Sequence, residues 1–162
     1  MTLVNRRDQV YWWYFLVHIP ITIFMDSNLV VPREYQWSQS LKLLDFHIAT
    51  NNDILLIDRP DWLQVFGAFE LLFQLPLFFY FVYMMPRPTR QHWVWMVVYG
   101  FNAAFTTLVC LFYIYWDQGR LSDVEKYKLM AIYVPYLALP LVLMLDYARR
   151  ISAALAVKPK QL

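Results

Sequence analysis

The fold is decided by residues 62–85, which read WLQVFGAFELLFQLPLFFYFVYMM. Glu70 is the only charged residue in this stretch, and most of the others are apolar or aromatic. A helix needs about 20 apolar residues to cross the ~30 Å hydrocarbon core of a bilayer. The stretch therefore predicts a membrane-spanning helix with an ionisable group inside the bilayer.

Three further apolar stretches of similar length predict an all-α, polytopic bundle of four transmembrane helices. The predicted spans are residues 10–31, 62–85, 93–116 and 129–147, and a loop of residues 32–61 joins the first two. Residues 1–162 are expected to form a single domain. The composition agrees, because 60% hydrophobic and 16% charged residues is more apolar than a soluble domain.

The basic residues predict that both termini face the cytoplasm. Eight Lys and Arg residues and two acids flank one side of the predicted bundle, whereas the other side has six basic residues among eight acids. Cytoplasmic loops of membrane proteins are enriched in Lys and Arg, so the loop 32–61 is placed on the luminal side. Its apolar pattern indicates a short amphipathic helix on the bundle, with a solvated loop as the alternative; the pattern consists of Leu41, Leu43, Leu44 and Ile48.

Several function classes are excluded by charge and cysteine content. A net charge of +2 without a basic run argues against a nucleic-acid partner. Cys110 is the only cysteine, so neither an intrachain disulfide nor a thiolate metal site is possible. The spacing of the remaining residues shows no metal-ligand cluster, nucleophile–base pair or phosphate loop. We therefore expect no cofactor and no metal.

Glu70 and Asp26 are the candidate site acids. Glu70 lies about 12 Å below the luminal end of its span, at ~1.5 Å rise per residue. An ionised, unpaired acid there costs at least about 2.5–3.5 kcal/mol, so we expect a ligand or proton site, or else an interhelical hydrogen bond. If the first span continues to Val31, Asp26 reaches a similar depth and the two acids can share one proton. The alternative is that Asp26 caps a helix end in water.

Other polar side chains fall at the same predicted depth. An apolar cavity with a few polar groups is the usual composition of a small-molecule site, although such groups also form helix–helix hydrogen bonds. The set consists of Gln74, Thr106, Thr107, Tyr133 and Tyr136.

Two prolines and two polar residues in the spans do not by themselves indicate a functional site. Pro135 and Pro140 free backbone carbonyls that either line a cavity or accompany packing kinks. His18 and Asn102 are interpreted as satisfied interior groups.

Four stretches carry a resemblance to a known family. They are YFLVHIPITIFMD (14–26), PRE (32–34), FELLFQLP (69–76) and YVPY (133–136). These resemble the sigma-2 receptor family, an EXPERA-domain group related to the emopamil-binding sterol isomerases, and the resemblance covers nearly the whole chain. It implies that Asp26 and Glu70 receive the basic amine of ligands. It also implies a pocket lined by Gln74, Thr107, Tyr133 and Tyr136, with Asp53 as a loop acid that takes part in binding.

The resemblance implies a multi-pass protein of the endoplasmic reticulum that binds sterols, oxysterols and cationic amphiphiles, serves sterol homeostasis and forms a homodimer. Lys158 and Lys160 resemble a dilysine retrieval signal for that compartment. The alternative is an interaction or quality-control protein that handles membrane or mitochondrial-precursor clients there. The expected partners are the lipid bilayer, a sterol or amine-bearing lipid, a second copy and a membrane protein.

Enzymatic activity is not expected. The isomerase relatives carry a histidine four residues before the glutamate of the second span, and Phe66 occupies that position here. They also have a fifth span. Proton transfer to a sterol double bond needs a placed acid and base, so the sequence predicts binding and no catalytic residue.

Overall fold

The computed structural model describes residues 5–156, and every regular element in that range is helical. The helices are α1 (Arg6–Phe24), α2 (Ser38–Asn51), α3 (Ile54–Asp58), α4 (Asp61–Phe69), α5 (Leu75–Met84), α6 (Trp93–Tyr115) and α7 (Asp123–Ala156). Short 3-10 turns occupy Asp26–Leu29 and Arg33–Tyr35, and a π-helical segment, Glu70–Gln74, joins α4 to α5. The predicted all-α class is confirmed over the described residues.

Three helices of the described chain are long and apolar enough to cross a membrane. They are Asp61–Met84, which joins α4, the π segment and α5, then Trp93–Tyr115 and Asp123–Ala156. The first two match the predicted spans 62–85 and 93–116 within one residue. The third extends beyond the predicted span 129–147 at both ends. Its first turn carries Asp123 and Glu125, whose negative charges favour helix initiation.

The first predicted span, 10–31, differs from the structure. α1 ends at Phe24, and the chain continues over Asp26–Leu29 as a 3-10 turn. Two polar side chains explain the end of the helix, because they occupy its last carbonyls. Ser27 Oγ donates to Ile23 O at 2.6 Å, and Asn28 Nδ2 donates to Phe24 O at 2.7 Å. The resulting 19-residue α1 is not among the three helices above.

The segment predicted as a loop, residues 32–61, contains two helices. α2 has 14 residues, as the apolar pattern of its sequence indicates, and it buries Leu44 against the bundle. Ser40 joins it to the 3-10 turn that follows α1 through a hydrogen bond from Asn28 Nδ2 at 2.9 Å. α2 is capped by Asn52, which adopts a left-handed conformation with φ 50°. The helix therefore packs on one end of the bundle.

Aromatic side chains fill the centre of the bundle. Phe15, Phe78, Phe81 and Tyr99 are fully buried, and the rings of Phe15 and Phe81 lie 4.7 Å apart. Tyr14 and Tyr99 join their hydroxyl groups by a hydrogen bond of 2.6 Å. Buried aromatic pairs add about 0.5–1.5 kcal/mol beyond the area that they bury. This cluster fixes α1 against α5 and α6.

Ion pairs bring the start of α1 to the later part of α7. Arg150 contacts Asp8 at 2.8 Å and Asp146 at 2.6 Å, and Arg7 contacts Asp146 at 3.2 Å. We call this end of the bundle the termini end. The start of α1 and the last turns of α7 therefore lie on the same side of the molecule.

A second ionic cluster lies at the opposite end, which we call the distal end. Arg120 contacts Asp58 of α3 and Asp117 of the link between α6 and α7. Tyr113 also donates a hydrogen bond to Asp58 at 2.6 Å. The hydrogen bonds from Tyr113 and Arg120 hold the pKa of Asp58 below its ordinary value. The cluster joins α3 to the α6–α7 link.

α6 and α7 approach each other closely at Gly100. A Cβ at this position would lie 2.6 Å from the Pro140 carbonyl oxygen and 2.8 Å from the Met144 Cβ. Small residues permit such close backbone contact between membrane helices. Because one of the two atoms belongs to the backbone, it cannot move aside without shifting α7.

We therefore expect Gly100→Val to separate α6 from α7 and to lower the thermal stability of the purified protein in detergent. Overpacking of a tight contact costs about 1–3 kcal/mol. Leu108→Val is a matched control, because it places the same β-branched side chain on the exposed part of α6. An equal melting temperature for Gly100→Val and the control would contradict the close contact.

Candidate functional site

A cavity of about 420 Å³ opens between the helices. Volumes of roughly 300–1,000 Å³ are usual for small-molecule sites. Its wall is mainly apolar and aromatic, with contributions from α1, α2, α4, α6 and α7, and it includes Leu63, Phe66, Cys110 and Ile132. The polar residues of the wall are Tyr14, His18, Asp26, His47, Glu70, Gln74, Tyr99, Thr106, Thr107, Tyr133 and Tyr136.

Glu70 lines the cavity at the point where the helix changes from the α to the π type. It begins the π-helical segment, in which the Leu75 N–H bonds to the Glu70 carbonyl five residues earlier. Pro76 follows directly and has no N–H to offer to the preceding turn, which favours an irregular hydrogen-bond pattern here. Single π turns inside α-helices occur frequently at functional sites. Both ends of the segment, Glu70 and Gln74, line the cavity.

α1 and its 3-10 extension supply the groups that face Glu70. His18, Thr22 and Asp26 are spaced four residues apart, so they follow one side of the helix. His18 Nε2 lies 3.5 Å from Glu70 Oε1, and Thr22 Oγ1 donates to the same oxygen at 3.2 Å. One carboxylate oxygen of Asp26 lies within 4.8 Å of the facing atoms of His18 and Glu70. The structure therefore brings together the two predicted acids.

No lysine or arginine in residues 5–156 forms an ion pair with Asp26 or Glu70. Two carboxylates this close, in largely apolar surroundings, repel each other if both are ionised. They must share a proton or attract a cation. The arrangement can therefore hold a proton between the two acids or bind a cation.

Gln74 and Thr107 line the cavity, but each also joins elements of the bundle. Gln74 Nε2 donates to Asn102 Oδ1 at 2.7 Å, which agrees with Asn102 as a satisfied interior group. Thr107 Oγ1 donates to the Tyr136 carbonyl at 3.3 Å. In a regular helix that carbonyl would accept from residue 140, which is Pro140 and has no N–H. The Tyr136 carbonyl, which Pro140 leaves without its helical donor, thus accepts a hydrogen bond from Thr107, a residue of the cavity wall.

Asp53 lies behind the cavity wall. Its carboxylate is fully buried and caps α3 by accepting from the backbone N–H of Leu55 at 3.0 Å. It also accepts from the Tyr133 hydroxyl at 2.9 Å and contacts His47 Nε2 at 3.0 Å. Both of those side chains line the cavity. Asp53 therefore holds two wall residues in place.

His18 is the site residue that sequence reasoning missed. The sequence interpretation made it a satisfied interior group, yet its ring faces Glu70 and lies 5.4 Å from the ring of Tyr136. The four-residue spacing from His18 to Thr22 and on to Asp26 was the signal that could have found it. Phe66, the position of the expected isomerase histidine, also lines the cavity. Lys158 and Lys160 lie outside the described residues.

Comparison with known proteins shows a family. The model of the EXPERA family, the expanded EBP superfamily, matches residues 40–147. The chain is 40% identical over 156 residues to Efficient mitochondria targeting-associated protein 19 of Saccharomyces cerevisiae, with 87% of this chain and 97% of the relative covered. It is 32% identical over 149 residues to Sigma intracellular receptor 2 of Homo sapiens, with 84% of each chain covered. A Schizosaccharomyces pombe relative with the same name as the first is 28% identical over 148 residues, with 90% and 77% covered.

The family match spans most of the chain and includes Glu70, Gln74 and Thr107 of the cavity wall. The aligned relatives extend over most of this chain as well. The resemblance noted from the sequence is confirmed, and the chain is a membrane protein that belongs to the EXPERA family.

Proposed function

We propose that this chain is a protein of the endoplasmic reticulum membrane that binds sterols, oxysterols and cationic amphiphiles in the cavity, in the service of sterol homeostasis. The observation that carries the proposal is the meeting of Asp26 and Glu70 in a mainly apolar cavity with no lysine or arginine partner among the described residues. The similarity to Sigma intracellular receptor 2 supports a receptor-like role.

Each part of the cavity has a role in this proposal. A protonated amine approaches Asp26 and Glu70 and supplies one positive charge, so that one of the two acids can ionise while the other keeps its proton. Thr22 holds the Glu70 carboxylate through its hydrogen bond of 3.2 Å. The ring system or alkyl chain of the ligand packs against the apolar wall, which includes Leu63, Phe66 and Ile132. Binding energy thus comes from apolar burial, and the acids select cationic ligands.

We further propose that α1 is a fourth span and that both termini face the cytoplasm. The ion pairs of the termini end support this, because they place the start of α1 beside the later part of α7. If the start of α1 and the end of α7 lie on the same side of the membrane, the chain must cross it an even number of times. The protein is proposed to form a homodimer and to have no isomerase activity, since Phe66 stands where the isomerases have histidine.

A second candidate function is handling of membrane or mitochondrial-precursor proteins at the endoplasmic reticulum. The specific observation in its favour is the 40% identity to a yeast protein whose name refers to efficient targeting to mitochondria. In this role the chain would contact client proteins, and the cavity acids would not be required for that contact.

The binding proposal predicts that Asp26→Asn and Glu70→Gln each weaken the binding of a cationic amphiphile by about tenfold or more. Both changes keep the shape of the side chain and remove its charge, and a hydrogen bond to a charged group contributes about 1.5–3 kcal/mol. Equilibrium binding of a radiolabelled amphiphile to the protein in lipid nanodiscs measures the effect.

Asp45→Asn serves as the control for that experiment, because Asp45 is an exposed acid that pairs with Arg33 on the outer surface. The two acid variants should weaken the binding of a neutral sterol less than they weaken the binding of the amphiphile. Unchanged amphiphile binding by both Asp26→Asn and Glu70→Gln would refute the proposal.

The topology proposal predicts which segments reach the lumen. A glycosylation acceptor carried on a flexible insert after Arg33 should be modified when the chain is made in the presence of microsomes. The same insert after Arg87, in the link between α5 and α6, should stay unmodified because that link lies at the cytoplasmic side. Gel mobility with and without an endoglycosidase reports the result, and the reverse pattern would contradict the orientation.

The second candidate predicts that newly made mitochondrial or membrane proteins are crosslinked to the chain in cells. Their recovery should be equal for the native chain and for the Asp26→Asn/Glu70→Gln double variant, because contact does not use the acids. Quantitative mass spectrometry of the crosslinked material measures recovery. If an unrelated multi-pass protein of the same membrane is crosslinked to the same client proteins in equal amounts, this function is ruled out.

A further inference from the structure

His18, Asp26 and Glu70 form a cluster of potential metal ligands in the cavity wall. They offer one imidazole nitrogen and two carboxylate oxygens, and these three atoms lie within 4.8 Å of one another. The sequence spacing predicts no metal site, because the third donor comes from the distant π-helical segment. The three donor groups come together only in the folded chain.

The distances suit a tetrahedral transition-metal ion. Zinc bonds of about 2.0–2.2 Å to nitrogen and oxygen place neighbouring ligand atoms about 3.4 Å apart. The observed separation of His18 Nε2 and Glu70 Oε1 is 3.5 Å. Asp26 stands at the start of the 3-10 turn, and its ligand oxygen lies within 4.8 Å of the other two atoms.

The imidazole of His18 is an independent sign of a ligand. Its residue is only 6% exposed and packs among the rings of Tyr14, Phe78 and Tyr136, at 5.0–5.4 Å between centroids. Within residues 5–156 neither ring nitrogen forms a hydrogen bond, and the 3.5 Å contact with Glu70 exceeds the usual 2.7–3.2 Å. His18 lines the cavity, so a metal ion between its ring and the two acids can be reached by Nε2.

Charge balance favours a dication over a single proton. The two carboxylates carry two negative charges when ionised, and the described residues provide no lysine or arginine to neutralise them. One divalent ion neutralises both at once. Thr22, which donates to Glu70 Oε1, would orient that ligand as an outer hydrogen-bond partner.

We infer that His18, Asp26 and Glu70 form a binding site for one divalent transition-metal ion of the zinc type, with a further coordination position open to the cavity. Three protein ligands and one open position are typical of zinc sites that bind a small molecule or water. This inference goes beyond the proposed function and does not require it. Metal and protonated amine would compete for the same two acids.

The test is a titration of the full-length protein, purified in detergent and stripped with a chelator, with Zn²⁺. Calorimetry gives the affinity, and elemental mass spectrometry after gel filtration gives the stoichiometry. The native chain should bind one Zn²⁺. His18→Gln and Glu70→Gln should each weaken binding by more than about 100-fold, because loss of an outer-shell partner alone costs about 10- to 100-fold.

His92→Gln is the matched control, since His92 is also buried but lies near Tyr147 and outside the cavity wall. Visible absorption of bound Co²⁺ provides a second readout, because a four-coordinate site absorbs strongly and depends on the His18 nitrogen. Mg²⁺ should compete poorly, as it prefers oxygen ligands. Glu70→Gln keeps the test decisive if His18→Gln does not fold.

Absence of stoichiometric Zn²⁺ from the native chain, or equal affinity in His18→Gln and the native chain, would overturn the inference. Binding of a cationic amphiphile is measured on the same samples. Amphiphile binding without zinc binding refutes the metal site alone, and zinc binding without amphiphile binding refutes the proposed amine site alone. Displacement of Zn²⁺ by the amphiphile supports a shared site.

Discussion

Two carboxyl groups held close together in a mainly apolar cavity constrain the architecture of this protein. Asp26 and Glu70 meet at this cavity, and no lysine or arginine of residues 5–156 pairs with either of them. Water stabilises an isolated carboxylate far better than apolar surroundings do, so the folded state carries an electrostatic cost that aromatic packing elsewhere must offset. The central cluster around Phe15 and Tyr99 provides that packing. Tyr99 belongs both to this cluster and to the cavity wall, so the packed core continues directly into the wall that carries the acids.

Irregular helix geometry is what places the acids. A uniform α-helix from Asp61 to Met84 would have no π segment at Glu70. If α1 continued past Phe24, Asp26 would lie in a regular helix and not at the start of a 3-10 turn. Pro76 and the polar residues after Phe24 disrupt the backbone pattern at those two points. A third disruption, at Pro140, leaves a carbonyl that Thr107 satisfies. Each irregularity is repaired locally, and all three border the cavity.

The sequence predicts the coarse features because they depend on composition. Apolar length identifies the helices that end at Met84 and Tyr115, and an acid in such a helix marks the site. The end of α1 was not predictable, since it depends on hydrogen bonds from Ser27 and Asn28 that compete with an otherwise apolar continuation. The role of His18 was hidden for a related reason. A histidine in an apolar helix does not reveal its partner, and that partner lies 52 positions away at Glu70.

The fully buried carboxylate of Asp53 has a mechanical consequence. It bonds at once to the first turn of α3, to a hydroxyl of α7 and to an imidazole of α2. Displacing α2 would remove the His47 imidazole from this fully buried carboxylate, and that penalty stiffens the cover over the distal end.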